Sequence, residues 1–176
     1  SKGGRDVIYT GSGADSISIT GNTFSRIDGG SGIDQLVLEG KANQSYDFRL
    51  DVPKPEYFIG TKLKNIEAIS SKNYGANTLS FDSKAIRDLN DQRMVFLTPD
   101  SSDTINLFSD SDYSFSRNQN LDTNLGGDIW NAFAASLIAS SDTPDSSTLV
   151  YVLNPDAGEE SWLSSHVSTN PTDPST

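Results

Sequence analysis

Three segments near the start of the chain share one register. Ser1–Tyr9 (SKGGRDVIY), Thr10–Ser18 (TGSGADSIS) and Gly29–Val37 (GGSGIDQLV) each carry Gly at the fourth place, Asp at the sixth and an aliphatic residue at the eighth. Asp6 and Asp15 are nine residues apart, and Asp34 follows after two further periods plus one residue. Glycine admits positive φ, so each segment can turn tightly and turn its carbonyls inward. The aliphatic residue at the eighth place then points into the core from a short strand. A coil built this way can only stack on its neighbours.

The pattern matches the calcium-binding nonapeptide GGxGxDxUx. In that arrangement the Asp carboxylate supplies charge to an ion held between successive turns, and calcium is a hard cation that takes oxygen ligands. The plainer alternative is a series of Gly-Asp hairpin turns. The candidate metal set is Gly4, Asp6, Gly13, Asp15, Asp28, Gly30, Gly32 and Asp34. The segment Gly21 to Asp28 interrupts the array, so a long regular roll is not expected.

Charge and composition narrow the function classes. Lys plus Arg is 13 against 24 acids, a net charge of −11. Such a field repels nucleic acid and anionic membrane surfaces. The acids are nineteen Asp and five Glu. Asp favours turns and brings its carboxylate close to backbone carbonyls, which suits a hard cation as well as an ordinary Asx turn. There are no cysteines, so the brace expected of a secreted domain would have to be a core or structural calcium. No apolar stretch reaches the roughly 18 residues of a membrane span, and no leader opens the chain. The expectation is a fragment of a larger exported protein.

At 176 residues one domain is the default. We expect a single domain over 1–163, with repeats over 1–40 and a flexible Ser/Thr/Pro-rich linker over 164–176. The fold class expected is mainly β with a few short helices, a calcium-bound β-roll-like or β-sandwich domain. Strands are expected at Gln35–Leu38, within Lys64–Ser70, and at Thr78–Phe81, Met94–Leu97, Thr104–Phe108 and Leu149–Leu153. Ser83 is expected to cap a short helix over Ser83–Asp91. Asp128 is expected to cap a second helix, Ile129–Ala139, on its Ala content and the preceding Gly126-Gly127.

Beyond the repeats, IDGGSGIDQLVLEG, LKNIEAIS, GANTLSFDSKAIRDL and MVFLTPDSSDTINL follow in order. This succession, over roughly Arg26 to Leu107, resembles a module of giant RTX adhesins, the hemolysin-type calcium-binding proteins. The whole chain looks most like their calcium-dependent peptide-binding domain. The resemblance implies a secreted bacterial cell-surface module, monomeric in isolation and without enzymatic activity, serving adhesion, biofilm and host colonisation. Its implied partner is a peptide or protein C-terminus whose free carboxylate meets a bound calcium. The alternatives are a calcium-dependent module binding glycans, or a calcium-rigidified spacer.

No catalytic constellation stands out. His166 is the only histidine, and no nucleophile or metalloprotease motif is present. Asp100 and Asp103, in the turn PDSSD, are further candidate calcium ligands against an ordinary turn. The stretch from Ser109 to Asp128 is polar and rich in Asp and Asn, and long loops of that kind are often functional. Asp110, Asp112, Asp122 and Asp128 are therefore candidate ligand-binding residues. Tyr113 and Arg117 join them, since Tyr113, Phe115 and Arg117 would share a strand face. Trp130 is the last candidate, with core packing as its plainer role.

Overall fold

The structure is a computed structural model that describes residues 5–21, 23–52, 59–125, 128–137, 148–153 and 160–171. It is mainly β, with two short helices, as the sequence leads one to expect. The first four strands are β1 (Val7–Tyr9), β2 (Ser16–Ile19), β3 (Arg26–Asp28) and β4 (Gln35–Leu38). They form two tiers of a coil: β1 pairs with β3 and β2 with β4, in parallel and in register. The step from Ile17 to its partner Leu36 is one winding of the chain. The Gly-Asp turns therefore lie one above another rather than closing hairpins.

Five elements continue the stack: β5 (Ser45–Asp47), β6 (Leu63–Lys64), β7 (Ala68–Ser70), β8 (Thr78–Asp82) and β9 (Met94–Thr98). Strand β6 extends the sheet of β1 and β3, while β7 and β9 extend that of β2 and β4. A third parallel sheet runs β5-β8-β10-β15, with β10 at Thr104–Phe108 and β15 at Val167–Thr169. The large sheet is completed by antiparallel strands β11 (Tyr113–Arg117), β12 (Thr123–Leu125) and β13 (Asp128–Leu137), and by β14 (Leu149–Leu153), parallel to β9.

Register explains the core. Ile17, Leu36, Ile69, Leu97 and Val152 are successive Cα partners across five strands, and all are buried. A second buried column runs Tyr46, Leu79, Ile105, with the half-buried Val167 closing it. Each such side chain contributes about 1.5–3 kcal/mol by leaving water. The alternation that places one residue in the core and its neighbour outside is the pleat of a strand.

Three expectations are corrected. The apolar run after Asp128 is the strand β13, not a helix. It pairs with β14 on one side and with β11 and β12 on the other, and two partners satisfy its backbone where a helix would have left both neighbours bare. Its residues 138 and 139 lie outside the described residues. The segment from 164 is not a linker through its described part. Helix α2 (Glu160–His166) leads into β15, which pairs with β10, and Trp162 and Leu163 are buried. Residues 172–176 lie outside the described residues. Finally, helix α1 (Ser83–Leu89) is capped by Asp82, whose carboxylate accepts from Ala85 N at 2.6 Å. Ser83 instead donates its hydroxyl to Asp110.

Candidate functional site

The two turns that precede β2 and β4 face each other across one tier. Gly11, Gly13, Gly30 and Gly32 all have positive φ. Gly13 N donates to Ser31 O at 2.9 Å and Ser31 N to Gly11 O at 2.8 Å, so the turns are zipped by their own backbones. The fit leaves no room for a side chain in the lower turn. A Cβ on Gly30 would lie 2.0 Å from Gly11 O, and one on Gly32 would lie 1.9 Å from Gly13 O.

The acid that ends each turn joins a vertical ladder. Asp15 N donates to Asp34 Oδ1 at 2.9 Å. One tier on, Asp34 N donates to Glu67 Oε2, also at 2.9 Å. The three carboxylates thus sit at the mouths of β2, β4 and β7, and those of Asp34 and Glu67 each brace the N–H of the acid before it. Their second oxygens are not all satisfied. Oδ2 of Asp15 and Oδ2 of Asp34 are both buried without a hydrogen-bond partner, and Asp34 as a whole is 0% exposed. An ionised oxygen without a donor is costly inside a protein unless a cation meets it. Burial pushes the Glu67 carboxyl up. The N–H of Asp34 works against that shift and the charge of Asp34 adds to it.

The two orphaned carboxylate oxygens leave negative charge at the stacked turns of the kind a hard cation such as calcium meets, while the carbonyls of Gly11, Gly29 and Ser31 already accept from Ser31 N, Thr10 Oγ1 and Gly13 N. Asp15, Gly13, Gly30, Gly32 and Asp34 are the residues the stack brings together. Asp6 stands directly before β1, on the other sheet, where its carbonyl accepts from Ser25 N and Arg26 N. The tier below offers Ser25 there in place of an acid, so that side lacks the paired carboxylates. Asp28 ends β3, directly before the Gly29 turn, and its carboxylate is already engaged. It forms a 2.9 Å ion pair with Arg26 and accepts from Asn65 Nδ2 and Gly30 N, and the Arg26 hydrogen bond leads the causes that hold its carboxyl below the usual range. Gly4 lies outside the described residues. Among those residues no group of three or more His, Cys, Asp or Glu side chains gathers as a metal cluster.

The remaining candidates are dispersed. Asp103 is buried, and its two oxygens accept from Ser71 Oγ, Asn77 N and Asp100 N. Asp100 accepts from Ser102 N and Asn73 N. Both acids build the turn. Asp110 accepts from Ser83 Oγ, Lys84 N, Asp112 N and Tyr113 N. Asp122 grips Arg117 through two oxygens and accepts from Ala132 N. Tyr113 stacks under the Arg87 guanidinium, 4.1 Å from the ring centroid. Trp130 sits edge-on to Phe96, whose ring stacks on Tyr151.

The strand β13 separates the proposed ligand acids. Tyr113 pairs with Leu137 at one end, whereas Asp128 begins the same ten-residue strand. At about 3.3 Å per residue, Asp112 and Asp128 are too far apart to share one ion. The loop expected to gather four aspartates is a pair of β-ladders instead. What the sequence reasoning missed was Glu67, whose sign was its position directly before a strand, as Asp15 and Asp34 stand before theirs.

Two clefts lie elsewhere. One, of about 200 Å³, is lined by Arg49, Asp51, Val52, Phe108, Ser109 and Asn170 among others, and the Arg49 guanidinium lies over the Phe108 ring. The other, of about 220 Å³, is lined by amides and hydroxyls, including Asn43, Gln44, Asn77, Ser102 and Thr104. Comparison with protein-family models, curated proteins and solved structures finds no match to the chain.

Proposed function

We propose that this chain is a calcium-dependent binding module of a secreted bacterial adhesin of the RTX type, and not an enzyme. The observation that carries the reading is the pair of stacked glycine turns ending in Asp15 and Asp34, each with a buried carboxylate oxygen that no donor meets. Calcium would be held there by those carboxylates and by turn carbonyls, neutralising charge that otherwise destabilises the stack. The bound ion locks the first two tiers, and these template the parallel sheets that follow.

The ligand class, the free C-terminus of a peptide on another cell, comes from the resemblance to the peptide-binding domain of RTX adhesins. A chain of charge −11 attracts a carboxylate only where a cation reverses the local field. The Arg49 cleft holds a guanidinium beside the Phe108 ring, where Asp47 already pairs with it at 2.7 Å. The cleft lined by Asn43, Gln44, Ser45 and Asn77 favours a second reading, a neutral hydroxylated ligand such as a glycan, because amides and hydroxyls dominate its wall.

Calorimetric titration with short peptides tests the ligand, using free and C-terminally amidated forms with and without chelator. Binding of the free form alone, abolished by chelation, is expected. Equal binding of both forms rules out carboxylate recognition, and binding on a glycan array alone selects the second reading.

A further inference from the structure

The ladder of acids extends one tier past the last Gly-Asp turn. Residues Asn65-Ile66-Glu67 form the corner between β6 and β7 and contain no glycine. Asn65 nevertheless takes the positive φ that glycine supplies elsewhere, at 53°. Its side chain donates to Asp28 Oδ1 at 2.7 Å, which pins the corner under the turn that begins at Gly29. Gly29 N in turn donates to Lys64 O at 3.1 Å. The corner is thus stacked on Gly29–Asp34, as that turn is stacked on Thr10–Asp15.

Gly29 differs from the glycines above it, since its φ lies outside the left-handed region. Space explains the residue: a Cβ there would lie 2.2 Å from Asn65 O and 2.7 Å from Asp34 Oδ2. Both oxygens therefore crowd the Gly29 Cα, together with the Asp34 Cβ, which lies 2.7 Å from the same point. The two oxygens are no farther apart than their two distances laid end to end, a span that one calcium bridges with ligand bonds of about 2.3–2.6 Å. Asp34 Oδ2 is also the buried oxygen without a donor. Glu67 adds a second carboxylate at the same backbone, because its Oε2 already takes the Asp34 N–H.

We propose that Asp34 Oδ2, the carbonyl oxygen of Asn65 and the carboxylate of Glu67 form a divalent-cation site, calcium by its all-oxygen donors, at the junction between the last glycine turn and the non-repetitive tier. Two of its three ligands lie outside the nonapeptide pattern, on a corner with neither the glycines nor the aspartate of that pattern. It deepens the calcium-dependent reading above and rests on it for the identity of the metal. Waters complete the coordination shell. The site couples the two halves of the domain: the repeat turns supply one carboxylate and the tier that begins the rest of the chain supplies the other. Asp34 belongs to both levels, through Oδ1 to Asp15 and through Oδ2 to the junction.

The test is calcium titration by calorimetry on metal-stripped wild type, Asp15→Asn and Glu67→Gln. Glutamine keeps an acceptor for Asp34 N and removes the charge. The expected result is that Glu67→Gln loses one binding event, or weakens it about tenfold or more, while the event removed by Asp15→Asn persists. An isotherm for Glu67→Gln equal to wild type overturns the junction site and leaves the repeat-turn reading standing. Loss in Glu67→Gln with no change in Asp15→Asn keeps the junction site and removes the repeat-turn reading. A wild type that binds no calcium removes both. If the glutamine variant does not fold, Glu67→Asp reports instead, since it keeps the charge and withdraws it by one methylene. It is expected to weaken the same event, and an unchanged isotherm overturns the proposal.

Discussion

The backbone N–H of Asp15 donates to Oδ1 of Asp34 at 2.9 Å, across a separation of 19 residues. The spacing in sequence is the length of one winding, and the bond ties the mouths of two neighbouring strands. Asp34 therefore serves two functions at once: one oxygen holds the tier above, and the other faces inward without a donor. Asp34→Asn keeps an acceptor for the N–H and removes the charge. In calcium-free buffer this variant should melt at or above the wild-type temperature, because a buried charge is gone. In millimolar calcium the wild type should gain stability and the variant little. Paired thermal melts check this, and equal calcium shifts in both proteins count against the site.

Gly11 and Gly30 separate strain from collision. Both have positive φ, yet only at Gly30 does a Cβ meet backbone, at 2.0 Å from Gly11 O. Gly11→Ala should cost about 1–2 kcal/mol from the left-handed conformation alone. Gly30→Ala should cost more, since the stack itself must part. Urea denaturation of the two variants measures the difference, and equal losses show that the turns do not touch.

Asp82 is a structural acid of the middle tiers. Its carboxylate accepts from Ala85 N, Leu50 N and Asp51 N. Asp82→Ala removes a helix cap and leaves two further N–H groups without their partner. A loss of about 2–4 kcal/mol is expected, read as a lower urea midpoint. A change under about 0.5 kcal/mol, the usual range for an exposed surface site, refutes the role.

Acid should stabilise the calcium-free protein over a limited range. Burial pushes the carboxyls of Asp82 and Asp103 up, against the hydrogen bonds each accepts. The unfolded chain loses these protons near the ordinary aspartate value of about 4, before the folded protein does. Their effect on stability is therefore most favourable below that value and declines as pH rises through the raised folded values. Melts in calcium-free buffer should show the temperature rising as pH is lowered from neutrality, with Asp82→Asn and Asp103→Asn flattening the profile. A wild-type profile that falls over the same range contradicts the assignment.

Truncation after Leu163 tests the closing strand. Val167 pairs with Ile105, and Asn170 N donates to Leu107 O at 2.6 Å. Removal of the segment should lower the melting temperature and bare one edge of β10. A truncated protein as stable as the full chain would make this segment an appendage after all.

The legible parts of the sequence were those fixed by local chemistry. Glycines that need positive φ, an aspartate two places on and an aliphatic residue after it specify the turns without reference to the rest. The expected strand at Gln35–Leu38 has the observed bounds. The run from Asp128 was illegible because its alanines favour a helix in isolation, while the environment decides. Ala132 and Ala135 are buried between β11 and β14, where small side chains let the sheet close. The end of the chain misled by composition. Ser, Thr and Pro dominate it, but Trp162, Leu163 and Val167 recur at intervals that seat them on the third sheet, with Trp162 Nε1 donating to Ser101 O at 2.8 Å. The gathering of Asp110, Asp112, Asp122 and Asp128 rested on their being in one loop, and a loop that pairs as strands spreads its residues out.

The position of β15 sets an order of assembly. Strand β10 waits on a partner that leaves the ribosome some sixty residues later. Until that segment arrives, β10 offers a row of unpaired amides and carbonyls, the kind of edge that recruits other chains. A nascent molecule is consequently at its most adhesive toward its own kind just before the β15 segment appears.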